Sequence, residues 1–558
     1  MKLDAFRQEL ATPRTSIQLC LVGIISGICA ALLIILFRLT IEWIQSFYLP
    51  ASNQFAQLDP THRFVMPIIG ALAILIIAYL TGFKYYRMGI PFVIHRVKHF
   101  FGYIPIPTSI NQFFGGAIAL ATGFSVGREG PSVHLGASGS TFFGKWFKFP
   151  ENSIRILSGC GVAAAISASF NTPFAAVIFV MEVIFREYKL YIFIPVMLAA
   201  ACGTVLTRVV FGEVQELAFI QLTEFSRWIY LYLVLLGVSL GFIASLFNNS
   251  LMYIVEKFSR INMVTRLLLA GLITGAIGFI VPEALGAHFD SVNQLFSHDS
   301  SISLLTGILA AKFILTIFAI GLGIPGGLMG PVFVIGMLSG VILCTPLGLF
   351  VDDTSGLFGS FSLLGMAGLM TAVVHAPLAA LSAVMELSYS PELILPAILV
   401  VVPAYLTSTQ FLGNRSIFIR QLDFQKLPYS TSTVTESLQK TGVLAVMTRN
   451  FKLLTEQSNE LIAELKTDET LKLLHINVQD PSHPISLLEY DHGIDKEAAR
   501  LISNPIQGLK FQATLAEVYA LLQNKRAGAV YIYANTPDNI VGIVTWDMLR
   551  NYLHKASY

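Results

Sequence analysis

Charge is what this sequence has least of. Asp, Glu, Lys and Arg make up 13% of its 558 residues, against 54% hydrophobic, and mean hydropathy is +0.68. That balance excludes a soluble enzyme and a disordered polyelectrolyte, and it belongs to a polytopic membrane protein. Formal net charge is only +2, so no cationic surplus points to nucleic acid. Cysteine is scarce too. Cys20, Cys29, Cys160, Cys202 and Cys344 are scattered through apolar segments with neither pairing nor metal-ligand spacing, so they read as core residues. The sequence has no P-loop, zinc motif or nucleophile elbow. That argues against an enzyme and gives no metal or resident cofactor to place.

What is abundant is apolar length. Residues 17–37, 65–80, 229–247 and 304–322 each approach the roughly 20 residues needed to cross a bilayer. Segments 156–169 and 331–343 are shorter or broken by Gly and Pro, which is tolerated at membrane depth only inside protein or along a cavity. No signal peptide precedes the first span, and Lys2, Arg7 and Arg14 suit a cytoplasmic N-terminus over residues 1–16. Near Phe424 the texture changes, with charged residues rising from about a tenth of the chain to about a fifth. The expected fold class is an all-α polytopic membrane protein over residues 17–422, in the cell (inner or plasma) membrane. A Ser/Thr-rich linker over 423–441 then leads to a smaller α/β cytoplasmic domain over 442–558.

Against this apolar background one charged turn stands out. Between Phe101 and Gly144 the only formal charges are Arg128 and Glu129, inside Gly127-Arg128-Glu129-Gly130-Pro131. An ionisable residue at membrane depth is costly and is by default a functional-site hypothesis. Proline suits the first turn of a helix, and the glycine before it allows close approach to bare backbone. A helix start offers unpaired N–H groups that favour an anion, so the turn reads as an anion site with an acid standing in it. It also reads, more plainly, as a buried Arg128–Glu129 ion pair.

The turn has an echo about 200 residues later, in Gly327-Leu328-Met329-Gly330-Pro331. Downstream, Thr172-Pro173 through Met181-Glu182 is echoed by Ala376-Pro377 through Met385-Glu386, with the proline nine positions before the glutamate in both. Two echoes in the same order describe a duplicated membrane unit. Broken helices in matching places put a binding site at the interface of the halves.

With these motifs, and with Phe170-Asn171-Thr172-Pro173, Gly321 to Gly327, and Leu393 to Pro396 after Glu386, residues 17–422 resemble the CLC family of chloride channels and chloride/proton antiporters. The resemblance implies a homodimer with one pore per subunit, two inverted halves, and helix starts converging on dehydrated anions such as chloride. It makes Glu129 the gating glutamate. It places the anion among Met88, Gly89, Ile90, Gly130, Met329, Gly330 and Phe418.

The chain departs from the family pattern behind that gate. The family's pore serine is Met88 here, in Arg87-Met88-Gly89-Ile90-Pro91, and a thioether has no proton to donate. The usual pore tyrosine aligns with Phe418. Together the two changes remove hydrogen bonds to a charged group worth roughly 1.5–3 kcal/mol each. The inner proton-relay acid of the antiporters is Val183, following Glu182, whose own role is expected to be structural. Met329 replaces an aromatic pore residue. His134 and His375 lie in apolar sequence as packing residues or proton relays.

In the tail, residues 504–553 resemble a CBS module, with a helical pattern over 511–522 and strands over 529–533 and 540–545. A first copy opens at Leu444. Such pairs can bind adenine nucleotides, but the first copy lacks a clear Gly-x-x-Thr end and Thr545 and Asp547 are spaced one residue closer than the usual ribose-contacting pair, so assembly and gating are the favoured role. The expectation is channel-like chloride flow gated by Glu129. A chloride/proton or fluoride/proton antiporter is the alternative, since methionine at the serine position also occurs in the fluoride branch. A ligand-sensing receptor with a lapsed pore is a third reading.

Overall fold

The computed structural model describes residues 2–82, 88–212, 225, 227–286, 301–349, 355–454, 471–476, 485–491 and 500–556. Among them, nine helices are long and apolar enough to cross a membrane. The spans run further than the apolar runs alone indicate. Ile17–Gln45 continues past the hydrophobic stretch because Arg38 pairs with Glu42 at 2.9 Å one turn on, so both charges are met within the helix. At 30 residues, Ile229–Phe258 exceeds the roughly 20 that an untilted span requires. The interrupted segment 156–169 is the middle of a full helix, Glu151–Phe170, whose apolar stretch is 94% buried inside the protein.

The chain forms two compact units, one comprising residues 20–143 and 155–429, the other residues 1–19, 144–154 and 430–558. In the membrane unit the duplication is visible as packing. Helix Glu129–Trp146 crosses Glu151–Phe170 with backbones touching at Gly136 and Gly161, where a Cβ on either glycine would overlap the other's carbonyl. Helix Met329–Cys344 crosses Phe358–Val374 the same way at Gly336 and Gly365. Gly136 and Gly336 each lie nine residues beyond the first glycine of their Gly-x-x-Gly-Pro turn. Small residues at such crossings let helices approach closely where no hydrophobic effect drives them together.

The five cysteines are all free thiols, with Cys160 and Cys344 buried and Cys29 exposed. One buried charge went unnoticed in the sequence. Lys312, in the middle of helix Ile302–Leu322, is fully buried and donates to the carbonyls of Ala284 and Gly286.

The second unit is α/β. Strands β1 (Phe451–Leu454), β2 (Lys472–Ile476), β3 (Ile485–Asp491) and β4 (Arg500–Pro505) form one sheet in that order. Strands β5 (Gln507–Lys510), β6 (Ala529–Tyr533) and β7 (Ile540–Thr545) form a second. In the second sheet β5 runs parallel to β6, with helix Leu515–Leu522 as the crossover, and β6 turns back into antiparallel β7. Thr448 of the first half exchanges backbone hydrogen bonds with Ile543 of β7, at 2.9 and 3.0 Å. The core of this unit is Leu438, Val443, Leu515, Val518, Ile532 and Leu549, joined by Ala11 from the N-terminal helix Lys2–Ala11.

The expected linker is partly helical, because Ser432 caps Thr433–Gln439 by accepting from the Thr435 N–H at 3.1 Å. One arm of a capping box starts Leu515–Leu522. There the Glu517 carboxylate accepts from the Thr514 N–H at 2.8 Å. Burial pushes the Glu517 carboxyl above the usual range, against the opposing effect of the Thr514 N–H and of a hydrogen bond with Glu151.

Candidate functional site

The two Gly-x-x-Gly-Pro turns meet. Gly127 donates to the Gly327 carbonyl at 2.6 Å and Gly327 donates back to Gly127 at 2.8 Å, a two-bond antiparallel bridge. Each turn opens a helix, Glu129–Trp146 and Met329–Cys344, with the proline in the first turn. The bridge thus holds the two helix starts against each other, where their partial positive charges add.

Glu129 sits on this bridge and is 4% exposed. A Cβ at Gly127 would overlap its carboxylate, and one at Gly327 would stand 2.7 Å from its Oε2 and 2.5 Å from the Gly130 nitrogen. Both glycines are therefore required by the seat of the acid. On its other side Glu129 lines an apolar cavity of about 40 Å³ with Phe170, Phe179, Met329 and Phe333. The Arg128 guanidinium lies over the Phe170 ring, 5.2 Å from its centroid.

A second cavity, of about 90 Å³, collects Met88, Gly89, Ile90, Gly130 and Phe418. Helix Gly89–His99 starts there. Met88 occupies its N-cap position in extended conformation and makes no side-chain cap, as expected of a thioether. Gly89 has φ +71°, a left-handed conformation that favours glycine. Phe418 is buried in the first turn of Ile417–Phe424.

The second repeat contributes Ile324 to Leu328 to this cavity, rather than Met329 and Gly330. Of the residues expected around the anion, Met329 and Gly330 thus lie outside this cavity. Met329 belongs with Glu129 at the apolar cavity, and Gly330 is buried in the first turn of its helix, lining neither. The reason is the bridge, which brings residues 324–328 to the wall and turns the helix proper away. Arg87 lies outside the described residues.

Beyond Phe418 lies a larger cavity, about 410 Å³, lined by Val183, Glu182, Arg186, His375, Tyr405 and Arg415 among others. The Nε2 atom of His375 is buried without a hydrogen-bond partner, and its ring packs edge-on against Tyr405. His134 stacks on Phe92 at 5.9 Å, and neither of its ring nitrogens has a partner, so the expected hydrogen-bonded packing residue packs without the hydrogen bond.

Glu182 and Glu386 have matching geometry. The Glu182 carboxylate accepts from the Leu378 and Ala379 N–H groups at 3.2 and 2.8 Å, at the start of helix Pro377–Ser388. Glu386, near the end of that helix, accepts from the Phe174 and Ala175 N–H groups at 2.8 and 2.7 Å, at the start of Pro173–Phe179. Each half supplies the carboxylate that satisfies the other half's orphan donors. The two glutamates were legible as an echo, but their exchange was not.

In the tail, the Thr545 hydroxyl accepts from the Met548 N–H at 3.3 Å, and Asp547 pairs with Arg550 at 3.1 Å. Among the described residues, no group of His, Cys, Asp or Glu is placed to hold a metal ion.

Helix starts bridged across a duplicated membrane unit, with a buried carboxylate on the bridge, define a membrane protein of the anion-transport class. The chain belongs to the voltage gated chloride channel family, which it matches over residues 69–409. The H(+)/Cl(-) exchange transporter ClcA of Cronobacter sakazakii is 27% identical over 437 residues, covering 74% of this chain and 91% of that protein. Two crystal structures share the fold. A slow cyanobacterial Cl-/H+ antiporter has TM-score 0.62 at 23% identity, covering 73% of this chain and 96% of the other. A eukaryotic CLC transporter has TM-score 0.59 at 19% identity, covering 95% and 97%.

Proposed function

We propose that this protein exchanges chloride for protons across the membrane, with Glu129 the group that meets both ions. The observation that carries the reading is the seat of Glu129. Its carboxylate rests on the Gly127–Gly327 bridge beside a small apolar cavity, while Gly130, the next residue, lines the Met88–Phe418 cavity. A carboxylate is a tethered anion, so it competes with chloride for the same helix-start donors, and protonation releases it. Exchange replaces the channel-like expectation because relatives over most of the chain are named as H(+)/Cl(-) exchange transporters. Val183 supplies no inner acid. The cavity of about 410 Å³ beside it is polar and roomy enough for water to bring the proton instead.

Under this reading the protein works as a homodimer in the cell membrane, with both termini cytoplasmic. The tail is a CBS-like pair concerned with assembly and gating rather than nucleotide sensing. That the Thr545 hydroxyl is already used as a cap supports this choice.

The test is purified protein in liposomes under a chloride gradient, with internal pH recorded. Uphill proton movement in fixed ratio to chloride is expected. Glu129→Gln, which mimics the protonated acid, should move chloride without protons and without pH dependence. Chloride flux that never drives protons in the wild type refutes exchange. Flux of fluoride with little chloride would instead select the fluoride reading that Met88 raises.

A further inference from the structure

The cavity between Met88 and Phe418 has apolar side chains where donors to an anion are needed, yet one polar side chain is sealed into its wall. Gln112 is 0% exposed, lines the cavity, and has no hydrogen-bond partner at either Nε2 or Oε1. A buried primary amide with both ends unmet is unfavourable unless a ligand completes it. Gln421 and Gln425 line the same cavity but are only half-buried, and of their atoms only Gln425 Oε1 is buried without a partner, an acceptor that has no proton to offer an anion.

The local backbone holds Gln112 in this position. Residues Asn111–Gly115 form a π-helical turn, a geometry often found at functional sites. Asn111 anchors the turn by donating to the Pro107 carbonyl at 2.9 Å and to the Thr81 hydroxyl. Gly115 and Gly116 are wedged against the segment that leads into the second Gly-x-x-Gly-Pro turn and against the proline of the first. A Cβ at Gly115 would lie 2.9 Å from Pro325 Cγ, and one at Gly116 would lie 3.0 Å from Pro131 Cγ. The amide is thus fixed to the same frame as the bridged helix starts.

We propose that Gln112 is the side-chain donor to the anion in this cavity, its Nε2–H groups taking the place of the hydroxyls that Met88 and Phe418 lack. The proposal rests on the reading that chloride passes through this cavity. It adds the residue that sets affinity and selectivity there. A carboxamide donates without carrying charge, so its contribution does not titrate.

The test is chloride binding to the purified full chain in detergent, by calorimetry, for wild type, Gln112→Leu and Gln112→Glu. Gln112→Leu removes the donors, and its chloride affinity should fall about ten- to hundredfold, the loss of one hydrogen bond to a charged group, whereas Gln112→Glu removes them only when its carboxyl is ionised and should lose affinity as pH rises. Thermal unfolding with and without chloride separates this from a structural role. Without chloride, Gln112→Leu should unfold at or above the wild-type temperature. Added chloride should stabilise the wild type by more than the variant. The titration is repeated with fluoride.

Wild-type affinity in Gln112→Leu, or an equal loss of stability with and without chloride, overturns the proposal. So does a wild type that binds neither anion. A wild type that moves chloride without protons refutes exchange alone, because the affinity comparison still decides Gln112.

Discussion

Glu182 and Glu386 allow a structural role to be told from a proton-carrying one. Each accepts two backbone N–H groups at the start of a helix in the other half. Substitution by Gln leaves one acceptor oxygen and removes the charge and the second acceptor. The loss is one hydrogen bond to a charged group, roughly 1.5–3 kcal/mol. Both carboxylates are partly exposed, which screens the charge and puts the value near the lower end. Substitution by Ala removes both acceptors and should cost about twice as much.

Thermal unfolding in mild detergent is the assay, run on both single variants and on the double. The two sites clamp the same pair of helices, so the double variant should lose less than the sum of the singles. A structural role predicts equal losses for the two glutamates, because their geometry is equivalent. A relay role involves only Glu182, which lines the cavity beside Val183. If Glu182→Gln unfolded like wild type and lost its proton movement, while Glu386→Gln kept both, the capping argument would be refuted.

Gly327→Ala places a methyl 2.5 Å from the Gly130 nitrogen and 2.7 Å from the Glu129 carboxylate. It should unseat the acid and reproduce the proton-uncoupled chloride flux of Glu129→Gln; retained proton coupling in liposomes would contradict it. In the tail, Glu517 has a carboxyl pKa raised by burial, so the folded state holds its proton to higher pH than the unfolded chain. Its contribution to stability is full below the ordinary value of 4.5 and is lost as pH rises through the folded value. Hydrogen exchange of residues 515–522 in the intact protein should therefore quicken, beyond its intrinsic pH dependence, as pH rises from 4.5. Glu517→Gln keeps its arm of the capping box and should reduce that extra acceleration, the remainder belonging to the titration of the Glu151 carboxyl hydrogen-bonded to it.

The sequence carried the duplication and the two Gly-x-x-Gly-Pro turns, because these are patterns of residue type at fixed spacing. Strands β6 and β7 were legible to the residue from their alternation. The long spans were underread, since Arg38 and Glu42 look like a boundary until their pairing is known. Gln112 was missed for a different reason. Asn-Gln-Phe-Phe-Gly has no composition that marks it, and only its burial among pore turns gives the amide a task. Reciprocal capping by Glu182 and Glu386 is a long-range relation, invisible to any local window. Channel against exchanger turned on Val183, a single residue, while the space beside it exists only in three dimensions.

The Gly127–Gly327 bridge also has a consequence in time. Its two strands are about 200 residues apart, so at about 5–20 residues per second the second arrives about 10–40 s after the first. Until then Glu129 has no seat. Nor is the Met88–Phe418 cavity closed, because Ile324 to Leu328 and Phe418 of its wall are still unmade. On the function proposed above, gate and pathway come into being from the same late segment. A half-made chain in the membrane therefore holds neither, and cannot discharge an ion gradient while it waits for the rest of itself.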